Sequence, residues 1–124
     1  MGISILEPIY TRQNDRGLFQ ELIRGKTWRT VIVGRMHKDS EMGHHYHLKT
    51  LVLFHITSGA ATVSTENIET GERNHLELTA GQGVLLEPNQ AHVIRFQLES
   101  DFLMLKSLSY DPKNPDTISY LISE

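Results

Sequence analysis

Three histidines are the residues of this sequence whose types and spacing could do chemistry. His45 and His47 flank Tyr46, and His92 follows the turn at Gly81-Gln82-Gly83. In a β-strand, residues i and i+2 point to the same face, so the first two imidazoles lie about 6.6 Å apart along one side of the strand. Imidazole is a common metal ligand and, with a pKa near neutrality, a general base. The pair can therefore converge on one ion or one substrate.

The elements that must position these histidines are β-strands. Short runs rich in Val, Ile, Leu, Phe and Thr recur about every ten residues and are separated by Gly, Asn, Asp and Pro, which is typical of an antiparallel sandwich or barrel. The sequence therefore predicts an all-β fold. The predicted strands are Ile3 to Ile9, Leu18 to Ile23, Arg29 to Met36, His45 to His47, Thr50 to Thr57, Ala60 to Thr65, His75 to Leu78, Val84 to Glu87, Ala91 to Leu98 and Phe102 to Ser109.

Alternation along the predicted strand Ala91 to Leu98 indicates the direction of His92. This histidine shares a face with Ile94 and Phe96, and these apolar neighbours place it on the buried side of the strand. A buried imidazole must be hydrogen-bonded, bound to a metal or neutral. We therefore expect His92 to lie inside the fold.

Composition limits the classes of function. The 124 residues fit one domain with a real core. The formal net charge is −3, and Lys and Arg are scattered, so nucleic acid is not an expected partner. The absence of cysteine excludes disulfides and thiolate zinc sites. No basic leader and no apolar run of ~18 residues is present, so we expect a cytoplasmic protein without a membrane span.

The spacing of the first two histidines resembles the first sequence motif of the cupins, a family of small β-barrels. That motif is a glycine, a His-x-His pair, a glutamate and a second glycine. At the same spacing this sequence has Asp39, His45-Tyr46-His47, Val52 and Gly59.

The second cupin motif is a glycine, a Pro-x-Gly, a histidine and an asparagine. At the same spacing this sequence has Gly81, Glu87-Pro88-Asn89, His92 and Phe96. Asn89 replaces a glycine of this motif, as Asp39 does in the first. Asp and Asn adopt left-handed backbone conformations more readily than most residues, so both replacements are compatible with the motif. The resemblance covers residues ~30 to ~108, with two motifs in agreement.

The resemblance implies a double-stranded β-helix, that is, a jelly-roll cupin barrel. One cupin domain would span residues 1–124, with N-terminal strands in 1–29 and a C-terminal edge segment in 109–124. Val52 stands where cupins usually place a metal-binding glutamate, so the implied ligand set is reduced to His45, His47 and His92. Three imidazoles would leave open positions on a divalent ion, for which Zn, Fe, Ni and Mn are the candidates.

A finer resemblance is to the cupins that act on sugar nucleotides in bacterial surface-polysaccharide synthesis. The segment Asn14 to Glu21 is similar to their early Asp-x-Arg-Gly-x-Phe-x-Glu sequence, and Gly43 to His47 is similar to their Arg-Gly-x-His-x-His stretch. However, Met42 stands where those proteins have the arginine, a residue suited to gripping phosphate.

Three functions remain open at this point. The first is a divalent-metal-dependent enzyme, an oxygenase or an isomerase, that acts on a small polar metabolite with His45 and His47 as catalytic residues. The alternative is a metal-independent epimerase or isomerase of sugar nucleotides, with one of these histidines as the general base. The third is a cupin that binds a metabolite without catalysis.

The expected partner is a small molecule held in a pocket, and the resemblance to cupins also implies a homodimer. The predicted strand Ile3 to Ile9 could add to the sheet edge of the neighbouring copy. The residues expected to line the pocket are Val52, Phe54, Gln90, Ile94, Phe96 and Met104.

Overall fold

The computed structural model describes residues 2–123, and eleven β-strands lie in this range. In chain order they are β1 (Tyr10–Asn14), β2 (Gly17–Glu21), β3 (Thr30–Met36), β4 (Glu41–His47), β5 (Val52–Ser58), β6 (Ala60–Asn67), β7 (Arg73–Thr79), β8 (Gly83–Leu86), β9 (Gln90–Phe96), β10 (Ser100–Lys106) and β11 (Thr117–Ser119). The prediction of an all-β fold is confirmed. No helix within residues 2–123 is long and apolar enough to cross a membrane.

Two antiparallel sheets form the body of the fold. The smaller sheet has the strand order β3-β10-β5-β8, and the larger has the order β11-β4-β9-β6-β7. Strands that are distant in sequence, such as β4 and β9, are thereby neighbours. This pairing brings the two histidine-bearing segments of the sequence side by side.

The hydrophobic core lies between the two sheets. Phe54 of β5 and Phe102 of β10 come from the smaller sheet, Phe96 of β9 comes from the larger sheet, and their ring centroids are 5.7 to 6.2 Å apart. Such ring geometry adds to the ~1.5 to 3 kcal/mol that burial of each large apolar side chain provides. The core therefore fixes the two sheets relative to each other.

Two residues with left-handed backbones lie just before the strands that bear the histidines. Asp39, before β4, has a φ of 70°, and Asn89, before β9, has a φ of 62°. These are the two positions where the sequence has Asp and Asn in place of the glycines of the cupin motifs. Both replacements keep the turn, because short polar side chains tolerate this conformation.

The N-terminal segment differs from the prediction. Ile3 to Ile9 was predicted to be a strand, but residues 2 to 9 contain no strand. Ile3 and Ile5 instead pack against the core, and Leu6 donates one backbone hydrogen bond to the carbonyl of Gly83. The apolar alternation therefore reflects packing of one side of an irregular segment. The strands of this region, β1 and β2, form a separate exposed hairpin.

The C-terminal segment lies along the larger sheet. Its strand β11 pairs with β4, so that Thr117 is opposite His47 and Ser119 is opposite His45. Beyond β11, the ring of Tyr120 packs edge-on against Tyr46 with the centroids 6.0 Å apart. The segment thus covers the edge of the sheet that bears the histidine pair.

Candidate active site

A bulge in β4 determines which histidines face the interior. The pairing of β4 with β9 shifts register between Gly43 and His45, and both Gly43 (φ 113°) and His44 (φ 56°) have left-handed backbones. A Cβ atom on Gly43 would lie 2.6 Å from the carbonyl oxygen of His92, so only glycine fits there. The extra residue, His44, bonds to Glu41 and to the backbone of Ile122 and does not line the cavity.

The three predicted histidines converge. His45 and His92 are directly opposite each other on β4 and β9, and their ring centroids are 4.7 Å apart. His47, two residues further along β4, has its ring centroid 5.1 Å from that of His45 and 5.8 Å from that of His92. One nitrogen from each of the three rings lies within 4.8 Å of the others. A single atom or a single small group can therefore contact all three rings.

The C-terminal segment orients one of these rings. The Nδ1 atom of His47 lies 3.2 Å from the hydroxyl of Thr117 and 3.9 Å from a carboxylate oxygen of Asp116. That carboxylate accepts hydrogen bonds from the backbone amides of Lys49 and Thr50 and from the Thr50 hydroxyl. Asp116 is thereby fixed as a negative group behind His47.

Two buried nitrogens of the site have no hydrogen-bond partner in the described structure. They are Nε2 of His47 and Nδ1 of His92, and the two side chains belong to residues that are only 4% and 3% exposed. Leaving a buried polar group without a partner costs about 1–3 kcal/mol, so such groups are retained mainly where a ligand or water satisfies them. These atoms are available to a bound species.

Burial lowers the pKa of each of the three imidazoles, because removal from water disfavours the cation. The pKa of His47 falls to about 4 and that of His92 to about 3. The positive charge of Lys106 acts in the same direction on each ring. All three histidines are therefore neutral at pH 7 and able to accept a proton or to bind a cation.

The histidines line a cavity of about 230 Å³ between the two sheets. Of the residues predicted to line the pocket, Val52, Ile94 and Met104 lie on its wall. Phe54 and Phe96 lie deeper, in the core. Gln90 is buried at the start of β9, where its side-chain oxygen accepts a hydrogen bond from the amide of Glu87.

Sequence reasoning missed Lys106, which lines the same cavity. The signal was present, because Lys106 follows Phe102 and Met104 at the i+2 spacing of one face of β10. Sequence reasoning also missed Asp116 and Thr117, whose contact with His47 spans about 70 residues of chain. No local pattern reports a contact of that range.

The N-terminal motif that resembles sugar-nucleotide cupins lies apart from the histidines. Asn14 to Glu21 forms the turn of the exposed hairpin and all of β2, and none of these residues lines the histidine cavity. Met42, by contrast, is on the cavity wall. The place of the missing arginine is therefore occupied by an apolar side chain.

The sequence matches a family model described as the polysaccharide biosynthesis C-terminal domain over residues 12–118. The chain belongs to this family. No protein of curated function matches the sequence.

Several solved structures resemble this polysaccharide biosynthesis C-terminal domain. Capsular polysaccharide assembling protein CapF from Staphylococcus aureus matches with a TM-score of 0.70 and 22% identity, over 94% of this chain and 33% of CapF. The QdtA 3,4-ketoisomerase from Thermoanaerobacterium thermosaccharolyticum, a double mutant in complex with TDP, matches with a TM-score of 0.73 and 19% identity over 94% and 86% of the two chains.

A third similar structure is the 3,5-epimerase RmlC from Legionella pneumophila in complex with dTDP-4-keto-L-rhamnose. Its TM-score is 0.75 at 18% identity, with 94% of this chain and 71% of RmlC covered. These likenesses confirm the predicted cupin jelly roll. This domain spans about a third of the length of the CapF chains that it matches.

The donor set of the site also fits a divalent metal ion. Three neutral imidazoles whose nitrogens lie within 4.8 Å of one another can share one ion, and two of the buried nitrogens have no other partner among the described residues. Val52 leaves the set without a carboxylate, and the nearby Lys106 opposes a cation. The geometry therefore permits a metal, while the charge of the cavity weakens its binding.

Proposed function

We propose that this domain moves a proton at a carbon beside the keto group of a sugar nucleotide, as an epimerase or isomerase of polysaccharide synthesis. The observation that carries the proposal is the pair of neutral imidazoles, His45 and His47, on the wall of a largely apolar cavity. The family match and the likeness to CapF, QdtA and RmlC support the substrate class. One further QdtA structure is in complex with TDP-4-keto-6-deoxyglucose.

His45 is the better candidate for the general base. It is half-buried and lines the cavity, whereas His47 is almost fully buried with a pKa of about 4. A lower pKa makes a weaker base, so the less buried ring accepts a proton more readily near pH 7. The ring of His47 is oriented by Thr117 and lies next to the ring of His45. It would then lie beside the enolate and could donate a proton to it or relay a proton to His45.

The chemical step is balanced without an oxidant. The imidazole takes the α-proton, the electron pair of the C–H bond forms the C=C bond of the enolate, and the carbonyl electron pair moves to oxygen. Return of a proton to the opposite face of the same carbon inverts that carbon. Alternatively, a proton on the enolate oxygen gives the enediol. Loss of the proton from the hydroxyl on the α-carbon then forms the new C=O bond, and the former carbonyl carbon takes up a proton, which gives the isomeric ketone.

The size of the cavity suits the sugar rather than the whole nucleotide. Its volume of about 230 Å³ is below the ~300–1,000 Å³ of pockets that enclose drug-sized ligands. A second cavity of about 110 Å³ adjoins it and shares Ile32, His47 and Lys106 with it. The sugar ring would occupy the histidine cavity, with the nucleotide extending outward.

The proposal is tested with protein that has been treated with a chelator and then freed of it. Keto-sugar nucleotides such as TDP-4-keto-6-deoxyglucose should raise its melting temperature and be converted to an epimer or isomer, as followed by proton NMR. The variant His45→Asn should lose conversion, while the exposed His37→Asn should keep it. A wild-type protein that neither binds nor converts any member of a panel of such nucleotides would contradict the proposal.

A metal-dependent enzyme is the second candidate, favoured by the two unpartnered buried nitrogens. His45, His47 and His92 would hold Zn, Fe, Ni or Mn, and the bound ion would polarise a carbonyl oxygen as a Lewis acid. Elemental analysis of protein purified without an affinity metal resin separates the candidates. Stoichiometric metal that is lost in His92→Ala, together with activity that disappears on chelation, would favour this one.

A further inference from the structure

Among residues 2–123, the lining of the histidine cavity includes one lysine and no carboxylate. Its eleven lining residues include His45, His47, His92 and Lys106, and every other one is apolar or glycine. The ammonium group of Lys106 therefore places a positive charge in a mostly apolar lining, where electrostatic interactions are stronger than in water.

The strand β10 places Lys106 in this position. The inner face of this strand has Phe102, Met104 and Lys106 at every second position. Lys106 is opposite Val52 on the neighbouring strand β5. Directly opposite residues on one face of an antiparallel pair have Cβ atoms about 4.5–5.5 Å apart. Val52 is the position at which a cupin glutamate would have supplied a counter-ion. Among the ion pairs of residues 2–123, none includes Lys106.

Two carboxylates line the adjoining outer cavity together with Lys106, and both accept hydrogen bonds from other groups. Asp111 accepts one from the backbone amide of Lys113, and Asp116 accepts three from the Lys49–Thr50 segment. The ammonium group of Lys106 therefore remains available at the junction of the two cavities. Lys106 shares the lining of the inner cavity with His45, His47 and His92.

We propose that Lys106 makes the histidine cavity an anion site and that its ammonium group contacts an oxyanion of the substrate. The identity of the substrate rests on the proposed function, whereas the preference for an anion rests on the lining alone. Two oxyanions can reach the junction of the cavities. One is the enolate oxygen that forms beside His45, and the other is the diphosphate of a sugar nucleotide, for which Met42 offers no cation.

The anion preference is tested with the smallest carboxylate, formate, at constant ionic strength. Binding is followed through the imidazole signals of His45, His47 and His92 in NMR spectra of the full chain. Lys106→Met should weaken formate binding by about 10- to 100-fold, the loss that removal of a charge-assisted hydrogen bond produces. Lys106→Arg should retain most of the affinity, and Lys49→Met, which removes an exposed cation outside the cavity, should retain all of it.

A parallel titration with Zn²⁺ separates an electrostatic role from a structural one. Removal of a positive charge near the imidazoles should strengthen Zn²⁺ binding by Lys106→Met about tenfold or more. Formate and Zn²⁺ affinities that change in opposite directions support the proposal. Unchanged formate affinity in Lys106→Met, or a loss of affinity for both ions, would overturn it.

The source of the oxyanion is then assigned with TDP and with a keto-sugar nucleotide that the protein converts. A higher Kd for TDP in Lys106→Met identifies the diphosphate, whereas an unchanged Kd with a lower kcat identifies the enolate oxygen. Unchanged Kd and kcat would overturn the contact with substrate. Absence of turnover by the wild-type protein would count against the proposed function alone, because the formate and Zn²⁺ titrations need no turnover.

Discussion

Acidification should destabilise this protein in a pH range set by the buried histidines. An imidazole has a pKa near 6.5 in the unfolded chain, whereas folding lowers the pKa of His47 to about 4 and that of His92 to about 3. Below pH 6.5 the unfolded chain therefore takes up protons that the folded protein does not. The free energy of unfolding is highest above pH 6.5 and falls as the pH drops toward the two folded-state pKa values.

The size of the effect follows from the linkage between proton uptake and stability. Each unmatched proton lowers the free energy of unfolding by about 1.4 kcal/mol per pH unit. Between pH 8 and pH 5, each of the two histidines thus removes about 2 kcal/mol, and the two together remove about 4 kcal/mol, most of it below pH 6.5. The lowered pKa of His45 adds to the loss. A small domain is stable by only about 5–15 kcal/mol, so the change is large.

Urea denaturation at pH 8, 7, 6 and 5, followed by circular dichroism, measures this loss. The titrations are repeated with EDTA, because a bound metal would also make stability depend on pH. The variant His92→Gln should reduce the loss between pH 8 and pH 5 by about 2 kcal/mol. The control His37→Gln, which removes an imidazole that is 87% exposed, should leave it unchanged. Equal stability at pH 8 and pH 5, or an unaltered loss in His92→Gln, would refute the reasoning.

Three further variants test the bulge, the C-terminal contact and the outer surface. Gly43→Ala should lower the free energy of unfolding, measured by urea titration, by about 1–3 kcal/mol. The φ of 113° at Gly43 and the nearby carbonyl oxygen of His92 disfavour a Cβ atom at this position. An unchanged urea midpoint would contradict this prediction. Asp116→Asn should lower the pKa of His47 further, because the negative charge of the Asp116 carboxylate raises that pKa. An NMR titration measures the change, and a higher pKa of His47 in the variant would contradict this prediction. Light scattering should give a dimer for the wild type and a monomer for Val33→Lys. The reason is that Val33 is an apolar side chain that is 74% exposed on the outer face of β3, beside Leu103. A monomeric wild-type protein would refute this expectation.

The convergence of the histidines could be predicted because it depends on short-range rules. The i, i+2 spacing places His45 and His47 on one face, and alternation with Ile94 and Phe96 turns His92 inward. The resemblance to the two cupin motifs then implied that His92 joins the pair in one ligand set, which no periodicity contains. The structure brings one nitrogen of each of these three rings within 4.8 Å of the others.

The remaining parts of the site depend on contacts that the sequence pattern does not contain. The bulge at Gly43 and His44 shifts the pairing of β4 by one residue, and the simple alternation rule has no means of placing it. The contact of Asp116 and Thr117 with His47 depends on where the C-terminal segment crosses the sheet. Ile3 to Ile9 shows the converse limit, because apolar alternation alone also describes an irregular segment packed on a core.

Exchange of substrate protons with solvent tests the central claim most directly. In D₂O, chelator-treated wild-type protein should replace an α-proton of TDP-4-keto-6-deoxyglucose, or of another keto-sugar nucleotide in the panel, with deuterium, and proton NMR would show that signal disappear. His45→Asn should abolish the exchange, while His37→Asn should leave its rate unchanged. Absence of exchange above the uncatalysed rate with every keto-sugar nucleotide, or full exchange by His45→Asn, would contradict the assignment of His45 as the base that removes this proton.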